Sequence, residues 1–123
     1  MLAGCTPWPE HFARMYRQKG YWENNTLSDM FEISSRRHPT KVAVVFGEQR
    51  ITYAELVEQV ERLAFVLMQT GLRPLDRVIL QLDNRPEFIC TFLALVKVGV
   101  IPVLSDRTLM SANTWLPVAV SSA

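Results

Sequence analysis

Glycine is sparse and scattered in this chain: five occur in 123 residues, and neither GxGxxG nor GxxxxGK[ST] can be found among them. A phosphate-cradling loop needs clustered glycines so that backbone N–H groups can close on the anion, so no such loop is expected. The two cysteines, Cys5 and Cys90, stand far apart, with no CxxC pair and no His or Cys at metal-ligand spacing. That usage fits a reduced cytoplasmic protein with unpaired thiols, not a disulfide scaffold or a zinc site. Histidine is equally rare. His11 and His38 fall on expected surface segments, and neither is expected to ligate a metal or move protons. No Ser or Cys occupies a nucleophile-elbow context. No catalytic, cofactor-binding or metal-ligating residue is therefore assigned.

An excess of one charge sign is missing too. Thirteen basic against twelve acidic residues leave a net charge of +1, so no global field draws nucleic acid or an anionic membrane, and neither is expected as a partner. The longest apolar run, Phe88 to Leu104, is interrupted by Lys97, Gly99 and Pro102 and falls short of the roughly 20 residues that span a bilayer. LAGC at Leu2 to Cys5 imitates a lipoprotein cleavage box, but only Met1 precedes it, so the match is expected to be coincidental. What is present is 49% hydrophobic and 20% charged. That suffices for one ordinary core and is too apolar for disorder.

The order of elements follows from periodicity and punctuation. Pro9 to Lys19 reads as a short amphipathic helix with Phe12, Met15 and Tyr16 on one face and Gly20 to end it, leaving the rings of Tyr21 and Trp22 in need of cover. Thr26 and Asp29 form a capping-box-like pair that opens a helix over Leu27 to Arg37, with Leu27, Met30, Phe31 and Ser34 sharing a face and His38-Pro39 stopping it. VAVVFGEQRITY, Val42 to Tyr53, reads as a hairpin turning at Gly47 and Glu48. Thr52 and Glu55 make the clearest helix start, a TxxE box, with Leu56, Val60, Leu63, Ala64 and Leu67 at helical spacing. Glu55, Glu58, Glu61 and Arg62 lie opposite as a solvated face, and Gly71 ends the helix. RVILQL, Arg77 to Leu82, has a buried-strand pattern. Asn84 and Pro86 open a helix that is apolar nearly all round and should be packed on more than one side; Gly99 ends it and VIPVL resumes extended structure. The expected fold is α/β, a hairpin plus a right-handed parallel β-α-β-α-β sheet, followed by an irregular tail.

Ligand sites of α/β sheets collect where a strand hands over to a helix. Asn84, Arg85 and Glu87 stand there, readable either as a cap and solvated turn or as part of a pocket. A small non-catalytic module that holds a nucleotide or a protein partner at this turn is one functional expectation.

The other rests on resemblance. TPWPEHFARMYRQKGYW, Thr6 to Trp22, resembles the amino-terminal signature of stand-alone aryl-acid adenylating enzymes, specifically the 2,3-dihydroxybenzoate:AMP ligases of siderophore biosynthesis. ITYAEL, Ile51 to Leu56, is similar to the first core motif of the wider adenylate-forming superfamily. VILQLDNRPEF, Val78 to Phe88, resembles the strand and turn that follow, and LVKVGVIPVL, Leu95 to Leu104, is similar to the second core motif. Asp83 departs from the proline common in relatives, which leaves the turn's rigidity open. The resemblance implies a parent enzyme that uses ATP and magnesium to turn an aryl acid into an acyl-adenylate. It then implies transfer of the acyl group to the phosphopantetheine thiol of an aryl carrier protein.

In that family the Gly-rich Ser/Thr loop, the residues around the aryl ring, the ribose-binding Asp and the catalytic Lys lie beyond the second core motif, and none is carried over here. Residues 1–104 are accordingly expected to form part of the amino-terminal subdomain of an AMP-binding domain, inactive alone. Residues 105–123 are expected to be a non-family tail. Leu109 to Leu116, back-translated one frame over, permits DERKYLA, so a frameshifted or truncated coding sequence is the expected origin. Without the cover of later elements, the isolated fragment is expected to be marginally folded and to self-associate.

Overall fold

A computed structural model describes residues 6–105, which form four helices and four strands. The expected change of character after Leu104 falls almost wholly on residues that lie outside the described ones. Helices α1 (Glu10–Gln18) and α2 (Leu27–Arg37) come first, then a hairpin of β1 (Val42–Phe46) and β2 (Gln49–Thr52). Helix α3 (Tyr53–Gln69), strand β3 (Arg77–Leu80), helix α4 (Pro86–Val98) and strand β4 (Ile101–Leu104) complete the order.

Both anticipated capping boxes are formed. The Asp29 N–H donates to Thr26 Oγ1 at 3.2 Å while the Asp29 carboxylate accepts from the Thr26 N–H at 2.8 Å. Glu55 and Thr52 repeat the exchange at 3.3 and 2.8 Å. Each box satisfies donors that a helix start otherwise leaves open. Hydrogen bonds from the threonines hold both carboxyls below the usual carboxylate range, the side-chain bond leading for Asp29 and the backbone bond for Glu55. At the other end of α4, Gly99 has φ +83°, and a Cβ there would lie 3.3 Å from that of Pro74. Glycine is required twice over, for backbone sign and for space. The Gly99 carbonyl accepts from the Leu75 N–H at 2.8 Å, holding Leu75 itself at φ +75°, a conformation that costs a branched residue about 1–3 kcal/mol and needs such support.

The strands do not form the expected single sheet. β1 and β2 pair antiparallel, with a register shift between Val42 and Val44, and β3 and β4 pair in parallel as a separate two-stranded sheet. Only the second of the two expected parallel crossovers, β3-α4-β4, is present. The cause is α4. Its Cys90 and Ala94 pack with Ile51, Leu56, Val60 and Ala64 of the hairpin and α3, while its Leu95 packs with Val78 and Val100 beside the parallel pair. The helix draws both sheets onto its own surface, and β2 meets β1 instead of β3. This accounts for the nearly continuous apolarity of α4, of which only Glu87 and Lys97 are exposed.

The two amino-terminal helices depart from expectation in detail. On α2 the inward residues are Phe31 and Ser35, the latter donating its hydroxyl to the Phe31 carbonyl at 2.6 Å, while Leu27, Met30 and Ile33 face out. Phe31 packs against the core cluster, and the small Ser35 beside it is buried. Helix α1 makes no substantial contact with another helix or strand. Its rings cover one another: Trp22 lies 5.9 Å from Trp8 and 5.4 Å from Tyr16, with the Arg17 guanidinium 5.7 Å above its centre.

Leu95 is 0% exposed and Phe65, on the outer side of α3, is 60% exposed. Urea unfolding is expected to show Leu95→Ala losing about 2–5 kcal/mol, the range for a buried leucine that leaves a cavity, while Phe65→Ala stays within about 0.5 kcal/mol. Equal losses would mean that α4 is not the centre of the core.

The capping carboxylates have a pH signature. A group whose folded pKa is depressed stabilises above its unfolded value and loses that contribution as pH falls through the folded one. Glu55→Gln should therefore unfold at a urea midpoint that changes less than that of the parent chain between neutrality and the acid limb, with the gap closing at low pH. A gap that persists below the carboxylate range would rule out the ionised cap as its source.

Candidate functional site

The turn from β3 into α4 sits at the carboxyl end of a parallel strand, and its geometry is local. The Arg85 N–H donates to the Asp83 carbonyl at 2.8 Å, and the Phe88 N–H donates to the Arg85 carbonyl at 3.0 Å. Pro86 takes the first helical position, where the lack of an N–H costs nothing. That places Arg85, not Asn84, at the N-cap, and no side chain caps the helix. Asn84 thus stands one residue outside the helix start, exposed, and does not line the depression beside it. Leu82, Asp83, Arg85 and Glu87 do line it, around a volume of about 230 Å³. Cavities that enclose a small ligand run from about 300 Å³ upward. The depression is a shallow one.

Two contacts engage Arg85. Its Nε lies 3.9 Å from Glu87 Oε2, and its guanidinium sits 5.7 Å from the centre of the Phe46 ring. The second contact ties the end of β1 to the strand-end turn, a link that sequence spacing could not have revealed because the residues are far apart in the chain. Below the turn, Cys90 is buried, and burial followed by the charge of Glu87 pushes its thiol above the ordinary range. A neutral buried thiol is a poor nucleophile and a good packing group.

A second depression, about 430 Å³, lies between α2 and α3 and is lined by Glu32, Ser35, Arg36, Ala54, Val57 and Glu61. Its carboxylates are already engaged. Lys97 of α4 reaches Glu32 Oε1 at 3.1 Å and Glu61 Oε1 at 3.5 Å, and Arg36 reaches Glu32 Oε2 at 3.2 Å. One ammonium thereby joins three helices. Burial pulls the Lys97 pKa down, but the hydrogen bond and charge of Glu32 and the same from Glu61 outweigh it, and the net displacement is upward. The signal in the sequence was a lone cation inside an apolar helix, which demands a partner. Of the acidic row on α3, Glu61 is thus engaged, whereas Glu55 serves the cap and Glu58 pairs with Arg62 at 3.6 Å on the exposed face.

Among the described residues no three His, Cys, Asp or Glu side chains converge in a way that could hold a metal ion. The glycines at Gly20, Gly47, Gly71 and Gly99 have positive φ at separate turns and helix ends, not in one anion-binding loop. No helix among the described residues is long and apolar enough to cross a membrane. What the arrangement can do is position: it fixes a strand end, a helix start and a hairpin relative to one another.

A hairpin, a capped helix and a parallel β-α-β unit in this order match the amino-terminal part of adenylate-forming enzyme structures. The apo structure of Mycobacterium smegmatis MbtA superposes with a TM-score of 0.77 at 38% identity, over 83% of this chain and 20% of that one. The sequence matches the family described as AMP-binding enzyme over residues 31–113, and the chain belongs to that family. Triostin synthetase I of Streptomyces triostinicus is 49% identical over 85% of this chain and 20% of its own length. The vibriobactin-specific 2,3-dihydroxybenzoate-AMP ligase of Vibrio cholerae is 41% identical over 85% of this chain and 19% of its own. The chain spans about a fifth of the length of the curated relatives it matches.

The three-helix clasp makes a prediction of definite sign. Because the Lys97 pKa is raised on folding, its contribution is fully present below the unfolded value of about 10.4 and fades as pH rises through the folded value. Lys97→Met should cost stability at neutral pH, by about 1 kcal/mol or less for partly exposed pairs, and the cost should vanish on the alkaline side. A difference independent of pH up to alkaline denaturation would assign the effect to packing of the lysine stem.

Proposed function

We propose that this chain supplies the amino-terminal module of an enzyme that adenylates an aryl acid, 2,3-dihydroxybenzoate or a close relative. The acyl group would then pass to the phosphopantetheine thiol of an aryl carrier protein in siderophore biosynthesis, in the reducing cytoplasm. The observation that carries this reading is the 41% identity to the vibriobactin-specific ligase over 85% of the chain, together with the Thr6 to Trp22 signature. Residues 1–104 form the subdomain in this reading, and the family match itself runs on to residue 113.

The module's own residues scaffold the reaction and do not perform it. Adenylation couples a carboxylate to the α-phosphorus of ATP, and its rate depends on holding the reactants in line and neutralising charge with donors and magnesium. ATP and magnesium would supply that chemistry at residues this chain does not contain. The contribution here is the β3-α4 turn, set by Pro86 and by the Arg85 contacts to Glu87 and Phe46.

Two measurements test this. The 123-residue chain is expected to show no 2,3-dihydroxybenzoate-dependent ATP–pyrophosphate exchange, and robust exchange would overturn the scaffold assignment. Grafted in place of the matching segment of the Vibrio cholerae ligase, residues 6–104 should sustain exchange within about tenfold of the parent, equivalent to about 1.4 kcal/mol of transition-state stabilisation. A folded chimera without exchange would remove the family function from this segment.

A further inference from the structure

We draw no further inference here: the strongest candidate, the aromatic cluster of Trp8, Tyr16, Tyr21 and Trp22 about α1, carries none, because nothing in the structure shows what covers it.

Discussion

Ala94 and Leu95 are neighbours in α4, both wholly inaccessible to solvent, yet they belong to different cores. Ala94 joins Ile51, Leu56, Val60 and Ala64; Leu95 joins Val78 and Val100. Consecutive helical residues point about 100° apart, so a helix buried on both flanks must be wedged between two layers. The hairpin, α2, α3 and the parallel strand pair are arranged about that wedge. The small side chain of Ala94 lets α3 approach closely, the pairing with the most extensive contact in the fold. The larger Leu95 fills the space under β3. Changing either size would alter the spacing of both layers at once.

That shared helix also explains which features could be read from sequence. Helix boundaries were legible because they are set locally. The Thr26 and Thr52 boxes, Pro86 at the first turn of α4 and the left-handed Gly99 each satisfy backbone groups within a few residues of themselves, and all four stand where the spacing put them. The buried face of α3 was legible for the same reason, since its period is unambiguous. The all-round apolarity of α4 correctly indicated cover on several sides. It did not say what the cover was.

Strand pairing was harder, because it is decided by partners distant in sequence. A β-α-β-α-β order is compatible with one parallel sheet, but β2 leaves a two-residue turn already facing β1, and that short closure is reached before any crossover. The face of α2 was misread for a related reason. Its apolar residues Leu27, Met30 and Ile33 form as regular a row as the inward side, and only packing against α3 and α4 turns the half-buried Phe31 and the buried Ser35 inward. The candidate turn was located correctly, while its roles were shifted by one residue: proline at the first helical position made Arg85 the cap and moved Asn84 outside. The Arg85 contact with Phe46 and the Lys97 clasp had no counterpart in any local pattern.

The distribution of charge separates scaffolding from chemistry. The ion pairs among the described residues are either exposed pairs on one helix or turn, such as Arg62 with Glu58, or belong to the Lys97 network that joins three helices. No side-chain polar atom is left buried without a hydrogen-bond partner among the described residues. A catalytic centre normally departs from this condition, because groups poised to act on substrate are held desolvated, strained or mutually repelling. Here the capped carboxylates are stabilised as anions, the Lys97 ammonium as a cation and the Cys90 thiol as a neutral packing group, each in its least reactive form. Among the described residues, positive φ outside glycine occurs only at Leu75, held by the Gly99 carbonyl just before the amino end of β3, the end opposite the strand-end turn. A segment relaxed in this way is suited to hold a strand end in register.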